Sequence, residues 1–388
     1  MKDNSTIVFT GDIGFDHYMS GRWADENLLS AEIKEFLKDS DHVAVNVEGA
    51  LYDGERKGRD NSVAALLHSM PCRVGSFLKE TGADIWNICN NHIMDAGAEG
   101  LSDTLRVASE CGAYTVGAGL NIIEASKPLI LDEAGGIGMF GVGYQRACRK
   151  ADENTPGCFS WSDLPRIKET IDEIKKTCRW CIVIAHAGEE FTSLPTPYTR
   201  DRYLEYLNLG ADIVIAHHPH VPMNYETVGE KTIFYSLGNF IFDTDYQRSQ
   251  PNTEKGIVVK LKFSQGSYEW EAVGINTDRI NERIEKDSLP AIFTDVSEDE
   301  YRLLVPLSAK AFIAATKRQQ IYLKPDKYSA STSDKEWEEN FNEPLRSGRV
   351  PGETLDFAII LPLAESEGKK DWKKSRLEDV KKYILEQM

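Results

Sequence analysis

The stretch Gly210–His220, GADIVIAHHPH, carries an apolar run, Ile213–Ala216, that ends in three histidines within four residues. A short β-branched run bounded by turn-forming residues reads as a strand covered on both faces, the kind found in parallel sheets. In an open α/β sheet, ligands bind beyond the carboxyl ends of the strands, because loops converge there while strand interiors stay apolar. His218 and His220 flank Pro219, and an extended backbone would aim both rings at one face, a spacing suited to chelating one ion or two adjacent ions.

Upstream, the same grammar repeats. Strands are expected at Thr6–Thr10, His42–Asn46, Ile85–Cys89, Met139–Val142 and Cys181–Ala185, with helical patterns such as SAEIKEFLKDS, LSDTLRVASEC and LPRIKETIDEIKK between them. Alternating strands and helices predict a layered α/β core. Downstream, TIFYSL, GIVVKLKF and YEWEAVGI follow without helices, so hairpins complete a sheet and the main domain, residues 1–276, closes near Asn276. Residues 277–388 form a more charged accessory segment. A helix is expected from Ser297 to about Arg318, a polar stretch at Ser329–Lys335 and a terminal helix from Asp371, all packing on the core or covering its mouth.

Each predicted strand ends in polar residues. Asp12 follows Gly11, which permits close backbone approach; Glu48 lies two residues past Asn46; Asn90, Asn91, His92 and Asp95 crowd one turn; His186 precedes Glu189 and Glu190. Singly, these residues read as caps, turn formers or satisfied histidines. Jointly, five strand ends offering oxygen or nitrogen donors point to one site for a hard metal or for acid–base chemistry. All eight histidines precede Tyr225, and five of them, His92, His186, His217, His218 and His220, follow a predicted strand.

With 45 basic against 62 acidic residues the net charge is −17, which argues against nucleic acid and anionic membrane surfaces as partners. The apolar run Ile7–Phe9 is too short for a signal-peptide core and no stretch is long enough to span a bilayer, so the expected location is cytoplasmic. Seven scattered cysteines fit a reducing compartment rather than a disulfide framework, and the Cys178/Cys181 pair, followed by a strand, reads as structural.

The ordered set GDIGFD, NVEGAL, NNHIMDAG, HAGEEF, GADIVIAHHPH and FYSLGNFIFD resembles the bacterial capsule-synthesis CapA family, the poly-γ-glutamate synthesis proteins, over roughly Ser5 to Asp243. That resemblance implies a calcineurin-like metallophosphoesterase fold, a four-layer α/β/β/α sandwich whose site holds one or two divalent ions (Mn, Zn, Fe or Mg), or none. By motif it implies Asp12 and His220 as ligands of one metal, Asn91, His186 and His218 as ligands of the other, and Glu48 as the bridge. His92 becomes the catalytic imidazole with Asp95 as its orienting carboxylate. Asn46, Asn90, His217, Glu190, Glu226 and Asn239 line or support the site.

The wider superfamily begins with Asp-x-His, where Gly14 stands here, and uses a bridging Asp in place of Glu48. The first metal position is thereby short of a ligand unless His17 loops back. The implied activity is a metal-dependent hydrolase or transferase acting on a phosphate ester or a glutamyl or peptide amide, with a small molecule, polyglutamate or a peptide as substrate. Two alternatives stand beside it. One is a cofactor-independent peptide epimerase using Asp12 and a histidine as its acid–base pair; the other is a non-catalytic accessory subunit of poly-γ-glutamate synthesis.

Overall fold

The computed structural model describes residues 2–54, 67–144, 148–347, 351–366 and 377–388. Strands β1 (Asn4–Ile13), β2 (His42–Val47), β3 (Ala83–Asn87) and β4 (Tyr114–Val116) run parallel, side by side, in one sheet. A second, six-stranded sheet follows: β5 (Leu129–Leu131), β6 (Ile137–Gly143), β7 (Trp180–His186), β8 (Ile213–His217), β9 (Tyr225–Val228) and β10 (Lys231–Phe234), in the spatial order β9-β10-β8-β7-β6-β5. The chain then returns to the first sheet. There β11 (Asn239–Ile241) pairs parallel to β1, and β12 (Lys255–Ser264), β13 (Tyr268–Asp278) and β14 (Arg283–Asp287) extend it as an antiparallel meander.

The sheets pack face to face. Alternation along each strand sends Ile7 and Phe9 inward against Met139, Ile182, Ile184 and Ile215 of the other sheet. Val8, Val43 and Val45 turn outward onto α1 (Ala31–Lys38), α2 (Val74–Glu80) and α3 (Gly97–Cys111). Phe140, Val183 and Val214 meet α4 (Leu164–Lys175) and α5 (Pro197–Leu209) on the opposite side. Four layers, α/β/β/α, result, and the near-continuous apolar runs are explained by burial of both faces of the central strands.

Two boundaries differ from expectation. The first sheet continues past residue 276, since β13 runs to Asp278 and β14 pairs with it through Asp287. The helix expected to stop near Arg318 continues: α6 spans Glu298–Leu323, its start fixed by Ser297 and Glu300 in a reciprocal capping box. Helices α7 (Asp334–Ser347), α8 (Pro351–Ser366) and α9 (Glu378–Leu385) follow. Of the terminal helix expected from Asp371, residues 371–376 lie outside the described residues. Leu304 and Leu307 of α6 pack with Val380 and Ile384 of α9 onto Leu194, which lies in the loop after β7.

Cys178 and Cys181 are both buried and unbonded, and burial pushes the Cys181 thiol up to about 12. No helix among the described residues is long and apolar enough to cross a membrane.

At the end of the first sheet remote from the histidine loops, His42 opens β2 with Nδ1 2.7 Å from Asp84 Oδ2, next to β3. The hydrogen bond to Asp84, with further support from Glu133 and Asp41, raises the imidazole above 6.5 despite burial. A histidine raised on folding adds stability that is complete below its unfolded value and is lost as pH climbs through its higher folded value. Unfolding midpoints measured from about pH 5 to about pH 9 should therefore fall more steeply above neutrality in wild type than in His42→Gln.

Candidate metal centre

Five strand ends from two sheets deliver Asp12, Glu48, Asn91, His186, His218 and His220 to one cluster. Asp12 reaches it because β1 runs hard against the β11 segment: a Cβ on Gly11 would lie 2.1 Å from the Gly238 carbonyl oxygen, to which the Asp12 amide donates at 3.0 Å. Asp12 Oδ1 accepts from Asn46 Nδ2 at 2.8 Å and lies 3.3 Å from His217 Nδ1, while Oδ2 lies 3.4 Å from His220 Nδ1. Asn46 is fixed in turn by Asn87 and contacts His186 Nδ1 at 3.3 Å. Asn91 Oδ1 and His186 Nε2 face each other at 2.8 Å.

Glu48 is at the centre. Its Oε1 lies 3.5 Å from His220 Nε2, 3.8 Å from His186 Nε2 and 4.0 Å from His92 Nε2, yet neither carboxylate oxygen has a hydrogen-bond partner among the described residues, and the residue is fully buried. A buried carboxylate left unpaired is costly, and a cation is the usual remedy. The donors fit one: Glu48, His218 and His220 place ligand atoms within 4.8 Å of one another, as do Asp12, Glu48 and His186. His218 Nδ1 is likewise buried without a hydrogen-bond partner among the described residues.

The electrostatics agree with that fit. Burial opposes ionisation of Asp12, but the contacts with His217 and His220 outweigh it and hold the carboxyl well below the usual range. Burial drives Glu48 the other way, well above it. Burial also lowers His186 and His218, leaving neutral imidazoles able to ligate. His220 overcomes its burial and rises to about 10 through Glu48 and Asp12, the direction expected of an imidazole that faces two carboxylates.

Supporting residues set ring orientation. Asn239 gives its amide hydrogens to Gln247 and to the Thr253 carbonyl, so its oxygen, 2.9 Å from His220 Nδ1, faces that ring and calls for the proton on Nδ1. Nε2 is thereby aimed at Glu48. Asp95 Oδ2 holds His92 Nδ1 at 2.7 Å in the same way. Asn90 Oδ1 accepts from the His92 and Gly49 amides and its Nδ2 donates to the Val47 carbonyl, clamping the two loops that present Glu48 and His92.

Three expectations change. The His218-Pro219-His220 segment is not extended: His218 and His220 adopt φ of 98° and 58°, and their rings lie 6.2 Å apart because the chain kinks past Pro219. Glu226 does not join the cluster, since its carboxylate is engaged by Arg200 and Tyr235. His17 is exposed on a short turn and supplies no replacement imidazole.

At Gly14, where the superfamily pattern has histidine, a Cβ would lie 2.4 Å from Phe242 Cε2, and that ring is boxed in by His220 and His68. Gly14→His is expected to cost about 1–3 kcal/mol by overpacking without raising metal stoichiometry. The added substitution Phe242→Ala should recover part of the loss; denaturation midpoints and elemental analysis of the single and double variants check this.

Sequence reading missed His68 and Asp16. His68 Nδ1 lies 2.7 Å from Asp16 Oδ2, its amide donates to Asp95 Oδ2, and its ring stands edge-on to His92 at 4.3 Å. No predicted strand precedes His68, so the strand-end signal was missing.

Fold and site together define a four-layer α/β/β/α protein, two sheets with a polar cluster of metal-ligand character at the carboxyl ends of their strands. The profile of the family described as bacterial capsule synthesis protein PGA_cap matches residues 6–244, and the chain belongs to that family. The chain is 27% identical over 342 residues to the capsule biosynthesis protein CapA of Bacillus anthracis, covering 82% of this chain and 81% of that one. It is 29% identical over 298 residues to the PGA biosynthesis protein CapA of Bacillus subtilis (strain 168), covering 74% and 76%. A purple acid phosphatase, PPD1 from yellow lupin seeds, aligns over 78% of this chain and 55% of its own at 10% identity and a TM-score of 0.33.

Proposed function

We propose that this chain is a metal-dependent hydrolase or transferase of the PGA_cap family that acts on a glutamyl or peptide amide or on a phosphate ester. The observation that carries the reading is Glu48, fully buried and without a hydrogen-bond partner among the described residues, between the imidazoles of His92, His186 and His220. Asp12, Glu48 and His220 would hold one cation, and Glu48, Asn91, His186 and His218 a second. When bound, a divalent cation supplies Lewis acidity toward a phosphoryl or carbonyl oxygen.

The chain's own residues do the rest. Asp95 holds the His92 ring at Nδ1, and Nε2 lies 2.9 Å from Asn91 Nδ2 and 4.0 Å from Glu48 Oε1, so the imidazolium form of His92 would stand beside the cluster as a proton donor to a leaving oxygen or nitrogen. Relatives named for capsule and PGA biosynthesis favour a glutamyl polymer as the substrate class. Protein purified with Mn or Zn available should carry one or two equivalents by elemental analysis and lose any hydrolytic activity in chelator; a metal-free protein that added ions do not activate would sink the reading.

A second reading has its own observation. Asp12 Oδ1 lies 3.3 Å from His217 Nδ1 and Oδ2 3.4 Å from His220 Nδ1, which places a carboxylate and imidazoles together, the group types that exchange of a peptide α-proton uses as base and acid. Deuterium incorporation into a peptide from heavy water, persisting in chelator, would favour it over hydrolysis.

A further inference from the structure

The loops that carry the second sheet's histidines hold conformations that L residues rarely adopt. His218 and His220 lie at φ 98° and 58°, and Phe191, in the loop after His186, at φ 62°. Such backbone persists only where its surroundings over-determine it, and three such residues around one site need a restraint from outside their own loops.

The contacts show where the restraint originates. The Phe191 amide donates to the Pro219 carbonyl at 2.8 Å, tying the two loops together, and the Phe191 ring stacks on His220 with centroids 6.0 Å apart. Behind Phe191, Tyr246 packs edge-on at 5.2 Å, and both rings are closed off by Ala315 of α6, with Tyr322 against them. Gln319 lies on the same stripe of α6, four residues after Ala315 and three before Tyr322. Its Nε2 donates to Tyr246 Oη at 2.5 Å and to Glu190 Oε2 at 3.3 Å, and Tyr246 donates to the same Glu190 oxygen at 3.0 Å. Glu190 adjoins Phe191 and its charge bears on both His218 and His220.

We propose that α6, acting through Gln319, is the positioning element of the metal centre: it holds Glu190 and Phe191, and through them the strained His218–His220 loop, in ligand geometry. Gln319 touches none of the candidate ligands, so it is a positioning residue, and the accessory segment becomes part of the site rather than an appendage. The proposal rests on the reading of the cluster as a metal centre for its effect on affinity, but not for its effect on the loops.

The test uses the full chain with Gln319→Leu, which keeps side-chain bulk, and separately Tyr246→Phe, which keeps the ring. Two readouts are taken. Hydrogen exchange of the metal-free protein is followed over the loops around Phe191 and His220, and Co²⁺ or Mn²⁺ is titrated, with the visible Co²⁺ spectrum reporting ligand geometry. Both variants should exchange faster in both loops and bind the ion about tenfold more weakly or worse, with an altered spectrum. Unchanged exchange in both variants overturns the proposal, whatever the affinity does. Faster exchange in a protein that takes up no ion even as wild type leaves the clamp standing and removes the metal reading instead.

Discussion

Glu48→Gln should make the metal-free protein more stable and at the same time remove most of its affinity for a divalent cation. The carboxylate is fully buried and neither oxygen is hydrogen-bonded among the described residues, a burden on the order of 1–3 kcal/mol for a polar group and more for a charge. An amide in its place is neutral and can donate to His220 Nε2, 3.5 Å from Oε1. Gln is a poorer ligand and cannot bridge as an anion, so the loss of affinity should exceed the roughly 10–100-fold typical of losing an outer-shell partner. Melting of the apo protein and titration with Mn²⁺ or Zn²⁺ read the two effects separately. A variant that melts lower than wild type without metal would show that Glu48 is a packing residue, not a group held in waiting for a cation.

Glu226→Ala should have the opposite signature. Glu226 takes the Arg200 guanidinium through two contacts, Nε to Oε2 at 2.9 Å and Nη2 to Oε1 at 2.5 Å, and accepts from Tyr235 at 2.7 Å. Both charged side chains are only 7% exposed. Removing the acid strands a buried guanidinium, which costs about 3–5 kcal/mol, nearer the lower figure here because Arg200 keeps Glu298 at the surface. The denaturation midpoint should drop while metal content per folded molecule stays at the wild-type level. Replacing both partners with apolar residues of similar volume should be far milder. Loss of metal from a Glu226 variant that remains folded would return this residue to the site.

Much of the arrangement was readable before any tertiary contact was known. The runs at Ile7–Phe9, His42–Val47, Ile182–Ala185 and Ile213–Ala216 announce two-sided burial, and polar residues at their ends mark where an α/β sheet leaves room for a ligand. The misses share a cause. Glu226 sits in a similar motif setting to true cluster members, and only the position of α5 shows that Arg200 takes it. Pro219 argues for an extended residue before it, yet His218 sits at φ 98° in a loop whose Pro219 carbonyl is tied to the Phe191 amide of another segment. Phe242 over Gly14, and His68 beside His92, are contacts between segments far apart in the chain.

By itself the sequence determined the layered class, the strand ends and the kinds of donor each end carries, since periodicity and burial are properties of short segments. Tertiary structure alone decided which donors meet: that Glu48 stands unpaired among imidazoles, that a phenylalanine fills the place of the superfamily's first histidine, and that a helix more than a hundred residues after His186 braces the histidine loops. Such meetings depend on sheet order and on how loops cross, and the free energy that selects them is spread over many long-range contacts, none of which leaves a mark in a local pattern.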